Sequence, residues 1–398
     1  MTMNTALLSA PRIDTGPGPT PGRLAFLDWV RVGAFGLLIF YHVGMFYVTW
    51  DWHVKSDHAG HGLEPLMLLT NPWRLTLLFL ISGVATRFMA DKLPLAPLLR
   101  ARLARLGIPL LFGMAVLVAP QPYYEVVEKL GYGDGFIAFY ARYLSFDGSF
   151  CRGDDCLILP TWNHLWFVAY LLVYTLVLGA LLALSPRRLA NPLPPAWMVR
   201  GPWLLVLPVL FLALLRLFLL PHFEITHALV DDWYNHAMSF SAFLFGFAIA
   251  RQDRVWARAE ALRVPALLLG LVTWIAFATY VWQYRESDPP EALRMVMRII
   301  YAGQQWGFII AILGFARRYL NHGNRWLSYL SVGVFPFYII HQTAIVVAAH
   351  HLKALGLPVV LEAVLLIAIT IAACLLTYEA ARRIPVLRPF FGLKRGGG

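Results

Sequence analysis

Ten runs of mostly apolar residues, each near membrane length, divide this chain at about 25–48, 73–90, 106–124, 161–184, 202–220, 234–250, 264–283, 296–316, 326–349 and 358–380. A helix rising ~1.5 Å per residue needs ~20 such residues to cross a hydrocarbon core. Inside lipid every backbone N–H and C=O must be paired within the segment, which leaves helices for runs of this kind. The sequence therefore predicts an all-α polytopic membrane protein with about ten transmembrane helices. Composition agrees, because only 14% of the residues are charged, against about a quarter in a soluble domain.

Charge sets the direction of the bundle. Placing the amino terminus in the cytoplasm puts 22 of the 33 Lys and Arg residues on the cytoplasmic side, among them Arg12, Arg23, Arg87, Arg187, Arg188, Arg251, Arg317, Arg383 and Arg395. That bias is the positive-inside pattern, and it predicts both termini in the cytoplasm. It also absorbs the net charge of +11, so the basic balance does not call for nucleic acid. Asp51, Glu64, Glu125, Asp147 and Asp232 fall on the other side. Residues 1–23, rich in Pro, Gly and Thr, read as a disordered cytoplasmic tail without the basic and apolar regions of a cleaved signal peptide. Residues 24–384 read as one membrane domain and 385–398 as a second cytoplasmic tail. Cys151 and Cys156 flank a four-residue gap in the longest outer loop, where an oxidising compartment permits a disulfide; Cys374 stands alone in the last run.

Ionisable residues within these runs are costly and tend to be functional. The stretch RVGAFGLLIFYH opens on Arg31 and closes on His42. Eleven residues are close to three helical turns, so both side chains leave nearly the same face, about 16 Å apart along the axis. One face thus carries a cation for an anionic ligand and, further out, a group suited to general-base chemistry. The competing reading is a snorkelling arginine and a histidine satisfied by a neighbouring helix. Arg102 and Arg105 are neighbours on one helix face and make a phosphate-type guanidinium pair, or else ordinary cytoplasmic charge. Ser82 and Gly83 read first as small residues for close helix approach. No nucleophile-elbow pattern occurs, so a serine acyl-enzyme has no basis. His164 lies between Trp162 and Trp166, an interfacial belt or a stacking surface for sugar rings, and His341 precedes Gln342 within the ninth run. His53, Asp57, His58 and His61 match no metal-binding spacing and read as solvated loop polarity, as do His222, His227 and His236. No metal site is expected.

Together these motifs resemble the integral-membrane acyltransferase-3 family. Its marks are the Arg31 to His42 pair, the Arg102–Arg105 pair before the third span, Ser82–Gly83 in the second, and His341–Gln342 late in the chain. Within that family, WHVKS after the first span, ISG in the second, RLGIP at the third and HLWF at the fourth are most similar to the branch that succinylates osmoregulated periplasmic glucans. The resemblance implies a multi-pass enzyme of the bacterial inner membrane, with no bound cofactor. It would move an acyl group, succinyl in that branch, from cytoplasmic acyl-CoA to hydroxyls of a periplasmic glucan. Arg31, Arg102 and Arg105 would bind acyl-CoA, and His42 would act as base. Ser82 is a candidate oxyanion donor; Trp162, His164, Trp166 and His341 are acceptor-side or supporting candidates. A succinyl donor would want one more cation, from Arg74 or Arg216. Direct transfer in a ternary complex leads over an acylated His42. Another envelope glycan acylated with acetyl, or a transporter or flippase without chemistry, are the alternatives.

Overall fold

The computed structural model describes residues 24–184 and 196–394. The expected tail 1–23 and Arg12, Arg23, Arg187, Arg188 and Arg395 lie outside the described residues. Helices follow one another through the chain as α1 (Ala25–Tyr47), α2 (Glu64–Thr70), α3 (Arg74–Ala90), α4 (Leu95–Phe112), α5 (Pro120–Leu130), α6 (Gly135–Leu144) and α7 (Trp166–Leu184). After the undescribed 185–195 come α8 (Trp203–Phe218), α9 (Trp233–Ile249), α10 (Asp253–Ala261), α11 (Arg263–Gln283), α12 (Glu291–Tyr319), α13 (Arg325–Lys353) and α14 (Val359–Arg383).

The expected runs are largely helical, and eight helical stretches among the described residues have the length and composition to cross a membrane, against the ten expected. The other two are shorter: α8 has 16 residues and α9 has 17. Pro202 delays the start of α8, and α9 stops before Arg251, where the chain turns into the nine-residue amphipathic α10.

The third span departs most from its expected bounds. Its helix begins at Leu95, carries Pro109 inside it, widens into a π turn at Gly113–Leu117 and restarts as α5. Proline lacks the donor of a regular turn, and single π turns gather at functional sites. The Leu165 Cδ1 lies 2.4 Å from where a Cβ on Gly113 would stand, so the wide turn and its glycine let the next span press in. Carbonyls loosened here are taken up by hydroxyls. Tyr143 donates to Met114 O (2.6 Å), Tyr140 to Ala115 O (2.8 Å) and Thr343 to Leu117 O (2.7 Å). Irregular backbone at this depth is tolerable only with such partners.

Two apolar cores meet on α1. Phe26, Leu27, Val30 and Ala34 pack with α3, α8, α11 and α12, whereas Phe35, Leu38 and Ile39 pack with α4, α7, α13 and α14. α1 is thus the shared wall between two half-bundles. The α3–α9 crossing brings backbone against backbone. A Cβ on Gly83 would stand 1.9 Å from Phe243 O, and one on Gly246 2.0 Å from Leu80 O. On the loop side, two-residue strands Cys151–Arg152 and Asp155–Cys156 pair antiparallel, and a disulfide joins Cys151 to Cys156.

Candidate active site

His42, singled out as an ionisable residue within an apolar run, sits where the two half-bundles part. It lines a cavity of about 610 Å³ whose wall also carries Arg74, Trp162, His164, Trp166 and Tyr338. The exposed Asp51 lies at its rim, so the cavity reaches the surface on the loop side. Arg31 lies near the opposite end of α1, where it pairs with Asp28 (3.1 Å) and donates to Ser331 O (3.0 Å).

The hydrogen bonds of His42 fix its tautomer. His341 Nδ1 is 2.7 Å from Tyr338 O, and a carbonyl can only accept, so the His341 proton is on Nδ1. His341 Nε2 must then accept, and the partner 2.9 Å away is His42 Nδ1. His42 is therefore the donor at Nδ1 and keeps a lone pair on Nε2, which has no partner among the described residues. A histidine whose second nitrogen is tied down in this way is oriented as a proton acceptor. If Nε2 takes a proton, the resulting imidazolium still donates into His341 without rearrangement. His341 does not line the cavity; it stands behind His42.

A buried amide organises the next layer. Gln121, fully buried at the start of α5, donates to Thr343 Oγ1 (2.7 Å) and lies 3.3 Å from His164 Nδ1. Its carbonyl accepts from Asn163 Nδ2 (3.0 Å) and Gln342 Nε2 (3.1 Å). Four partners saturate the group. His164 completes the link by donating from Nε2 to Tyr338 O (3.1 Å) and Ile339 O (3.2 Å), while Tyr338 OH donates to His164 O. Replacing Gln121 by Leu leaves several of these groups unsatisfied. Turnover is expected to fall about 10- to 100-fold, with a lower Tm; enzyme assays and thermal unfolding of Gln121→Leu check this.

His53 is the main site residue that the sequence reading missed. It is not solvated loop polarity. Its Nδ1 donates to Glu125 Oε2 (2.5 Å), and its Nε2 lies 3.2 Å from Gln342 Nε2 in the cavity wall. Lys129 steadies Glu125 (2.9 Å) and reaches Asp51 (2.9 Å). By contrast His58 meets Leu357 O and His61 meets Glu64, away from the cavity. Among the described residues no three His, Cys, Asp or Glu side chains gather as a metal site. The loop that carries His53 is tied to α1 by Lys55, which donates to Met45 O (2.5 Å) and Trp50 O (3.0 Å). Burial pulls the Lys55 ammonium down to about 8, against the pull of Asp51 and Glu64. Between that value and the ordinary lysine value the unfolded chain holds a proton that the folded one lacks, so stability rises with pH across this window. Thermal unfolding at pH 7.5 and 10 is expected to show the rise, and Lys55→Met to remove its Lys55 share.

The outer mouth is aromatic. Trp166 stacks on His227 (4.3 Å between ring centres), and Trp162 Nε1 donates to His227 O (3.0 Å). Burial pulls the His227 imidazole below its ordinary value, although Asp232 acts in the opposite direction. Asp232 is itself fully buried. It accepts from His227 N (3.1 Å), Thr226 N (3.3 Å), Asn235 Nδ2 (2.9 Å) and Tyr170 OH, which fixes this loop over the cavity.

The remaining expectations divide. Ser82 is half-buried and does not line the cavity; its neighbour Gly83 meets the α9 backbone, so this pair serves helix approach and the oxyanion role is withdrawn. Arg102 is buried and donates to Thr175 Oγ1 (3.3 Å), while Arg105 is exposed and close enough to both Arg31 and Arg102 for their charges to interact. The three arginines form a cationic group at the far end of α1, outside the His42 cavity.

Comparison with known proteins gives this geometry a setting. The sequence pattern of a family described as an acyltransferase domain matches residues 24–379. The chain is similar to glucans biosynthesis protein C of Salmonella gallinarum, 27% identical over 181 residues, which cover 45% of this chain and 44% of that protein. It is likewise similar to the protein of that name from Salmonella paratyphi B, 28% identical over 160 residues, or 40% and 38% of the two chains. The chain thus matches less than half the length of these relatives. No solved structure matches. With the match running through nearly all of the helical bundle, the chain belongs to the acyltransferase-3 family of integral-membrane proteins.

Proposed function

We propose that this protein transfers an acyl group, succinyl by its resemblance to the glucan-modifying branch, from cytoplasmic acyl-CoA to hydroxyls of a periplasmic glucan. The observation that carries the reading is the free Nε2 of His42, oriented by His341 in the wall of a cavity that opens on the loop side. Positive-inside charge supports taking that side as the non-cytoplasmic one, which on this reading is the periplasm of a bacterial inner membrane. Donor phosphates would meet Arg31, Arg102 and Arg105 in the cytoplasm, and the thin pantetheine arm would follow α1 outward. Trp162 and Trp166 would offer flat apolar surface to the glucan rings at the mouth.

His42 Nε2 then removes the proton of the acceptor hydroxyl as its oxygen attacks the thioester carbonyl. A C–O bond forms, the C–S bond breaks, and the proton on His42 passes to the leaving thiolate. Ester and free CoA are the products, and no residue of the chain ends the cycle modified.

Purified protein supplied with succinyl-CoA and glucan tests the reading. Free thiol is expected to appear in step with glucan ester seen by mass spectrometry. A protein that moves either substrate across a bilayer and makes no ester is instead a transporter.

A further inference from the structure

Arg74 opens α3 on the cavity wall and is 5% exposed. Its guanidinium carbon lies over the Tyr41 ring, 3.2 Å from the ring centre. The Nε and Nη1 atoms are buried without a hydrogen-bond partner, and no carboxylate pairs with the group among the described residues. Every other charge near it is committed. Asp51, the one acidic residue on the cavity wall among the described residues, is held at the rim by Lys129 (2.9 Å). Arg216, the other cation expected from the sequence, stacks on Tyr301 (3.5 Å), donates to Tyr234 OH (3.0 Å) and does not line the cavity. A buried charge left uncompensated is strongly destabilising. An arginine on a cavity wall whose donors are unmet is suited to receive a carboxylate.

Its distance from the base narrows the ligand. The Tyr41 and His42 ring centres are 6.0 Å apart. Together with the 3.2 Å stacking distance, this holds the guanidinium carbon within about 9 Å of the His42 ring centre. A four-carbon diacid places its two carboxyl carbons about 4 Å apart across three C–C bonds. A thioester carbonyl beside His42 Nε2 would therefore bring the far carboxylate into hydrogen-bond range of Arg74. A neutral acyl chain would leave the guanidinium unmet.

The geometry points to Arg74 as an anion subsite for the free carboxylate of the transferred group, which makes the donor a monothioester of a short dicarboxylic acid. This rests on the acyl-transfer reading. The carboxylate orients the thioester, and its charge offsets that of the arginine. The reaction balance is unchanged, since the carboxylate is carried intact into the ester.

The test compares donors on one preparation. Wild-type protein is assayed with succinyl-CoA, with the uncharged butyryl-CoA of equal chain length, and with acetyl-CoA. The wild type is expected to favour succinyl over butyryl by about 10- to 100-fold in kcat/KM, and Arg74→Gln to lower the succinyl-to-acetyl ratio by a similar factor. Arg74→Lys, which keeps the charge without the planar fork, should fall between them. Equal turnover of succinyl and butyryl donors by the wild type overturns the subsite, whether or not the variants fold. So does an Arg74→Gln protein whose donor ratio is unaltered. Absence of turnover with every donor contradicts the acyl-transfer reading instead.

Discussion

His42→Ala is expected to abolish acyl transfer, with kcat lower by ~10²- to 10⁴-fold, while the protein stays folded. Removal of the ring takes away a cavity-wall nitrogen with a fixed tautomer and, among the described residues, an open lone pair. His42 is also only partly buried at the cavity edge, so its loss widens a space that already exists. A companion variant separates catalysis from packing. In His341→Leu the His42 Nδ1 proton loses its acceptor, and the cation formed in the transition state loses its support. That protein should retain measurable activity, reduced by about 10- to 100-fold. Steady-state kinetics beside thermal unfolding distinguish the two. An active His42→Ala protein would remove the base from the mechanism.

The largest structural effect is expected at the α3–α9 crossing. Gly83→Ala places a methyl 1.9 Å from Phe243 O, and Gly246→Ala places one 2.0 Å from Leu80 O. In both cases the obstacle is backbone, which no side-chain rotation relieves. The helices must separate, and Gln305 on α12, whose Nε2 donates to Thr76 on α3 (2.7 Å) and lies 3.0 Å from Met238 Sδ on α9, could not keep both partners. Each substitution should cost about 3 kcal/mol or more, read as a large fall in Tm or in folded yield. Ser82→Ala, one residue away and off the cavity wall, should cost less than about 1 kcal/mol and leave turnover near wild type. Equal effects at Ser82 and Gly83 would contradict the packing account of this pair.

The contrast shows what the sequence could carry. The spans were legible because lipid demands long apolar helices, and a run such as Val359–Arg383 has few other folds open to it. Arg31 and His42 stood out as candidates because charge within such a run is rare, and helical periodicity relates the two. His341 was visible as an intramembrane histidine, but its service to His42 was not, because it depends on how α1 and α13 meet, 299 residues apart. His53 and Glu125 were hidden for another reason. They lie 72 residues apart, and only the π turn at Gly113–Leu117 and the restart at Pro120 bring α5 beside the first loop. Gln121, between Pro120 and Pro122, carried a faint signal: an uncharged amide where a span was expected to continue. Ser82 misled because small residues serve close packing and hydrogen bonding alike, and composition does not separate those uses.

Arg74 shows the opposite case. Its sequence position, at the outer start of a span, is one where snorkelling arginines are common. Its proposed role comes from its surroundings: an aromatic face beneath it, no acid paired with it among the described residues and a cavity before it.

The most direct measurement uses proteoliposomes with succinyl-CoA confined to the side that bears Arg31, Arg102 and Arg105, and glucan confined to the side onto which the His42 cavity opens. The account predicts succinyl ester on the glucan and free CoA retained with the donor, in equal amounts, and neither with His42→Ala. Intact succinyl-CoA appearing beside unmodified glucan, or ester formation undiminished in His42→Ala, would contradict it.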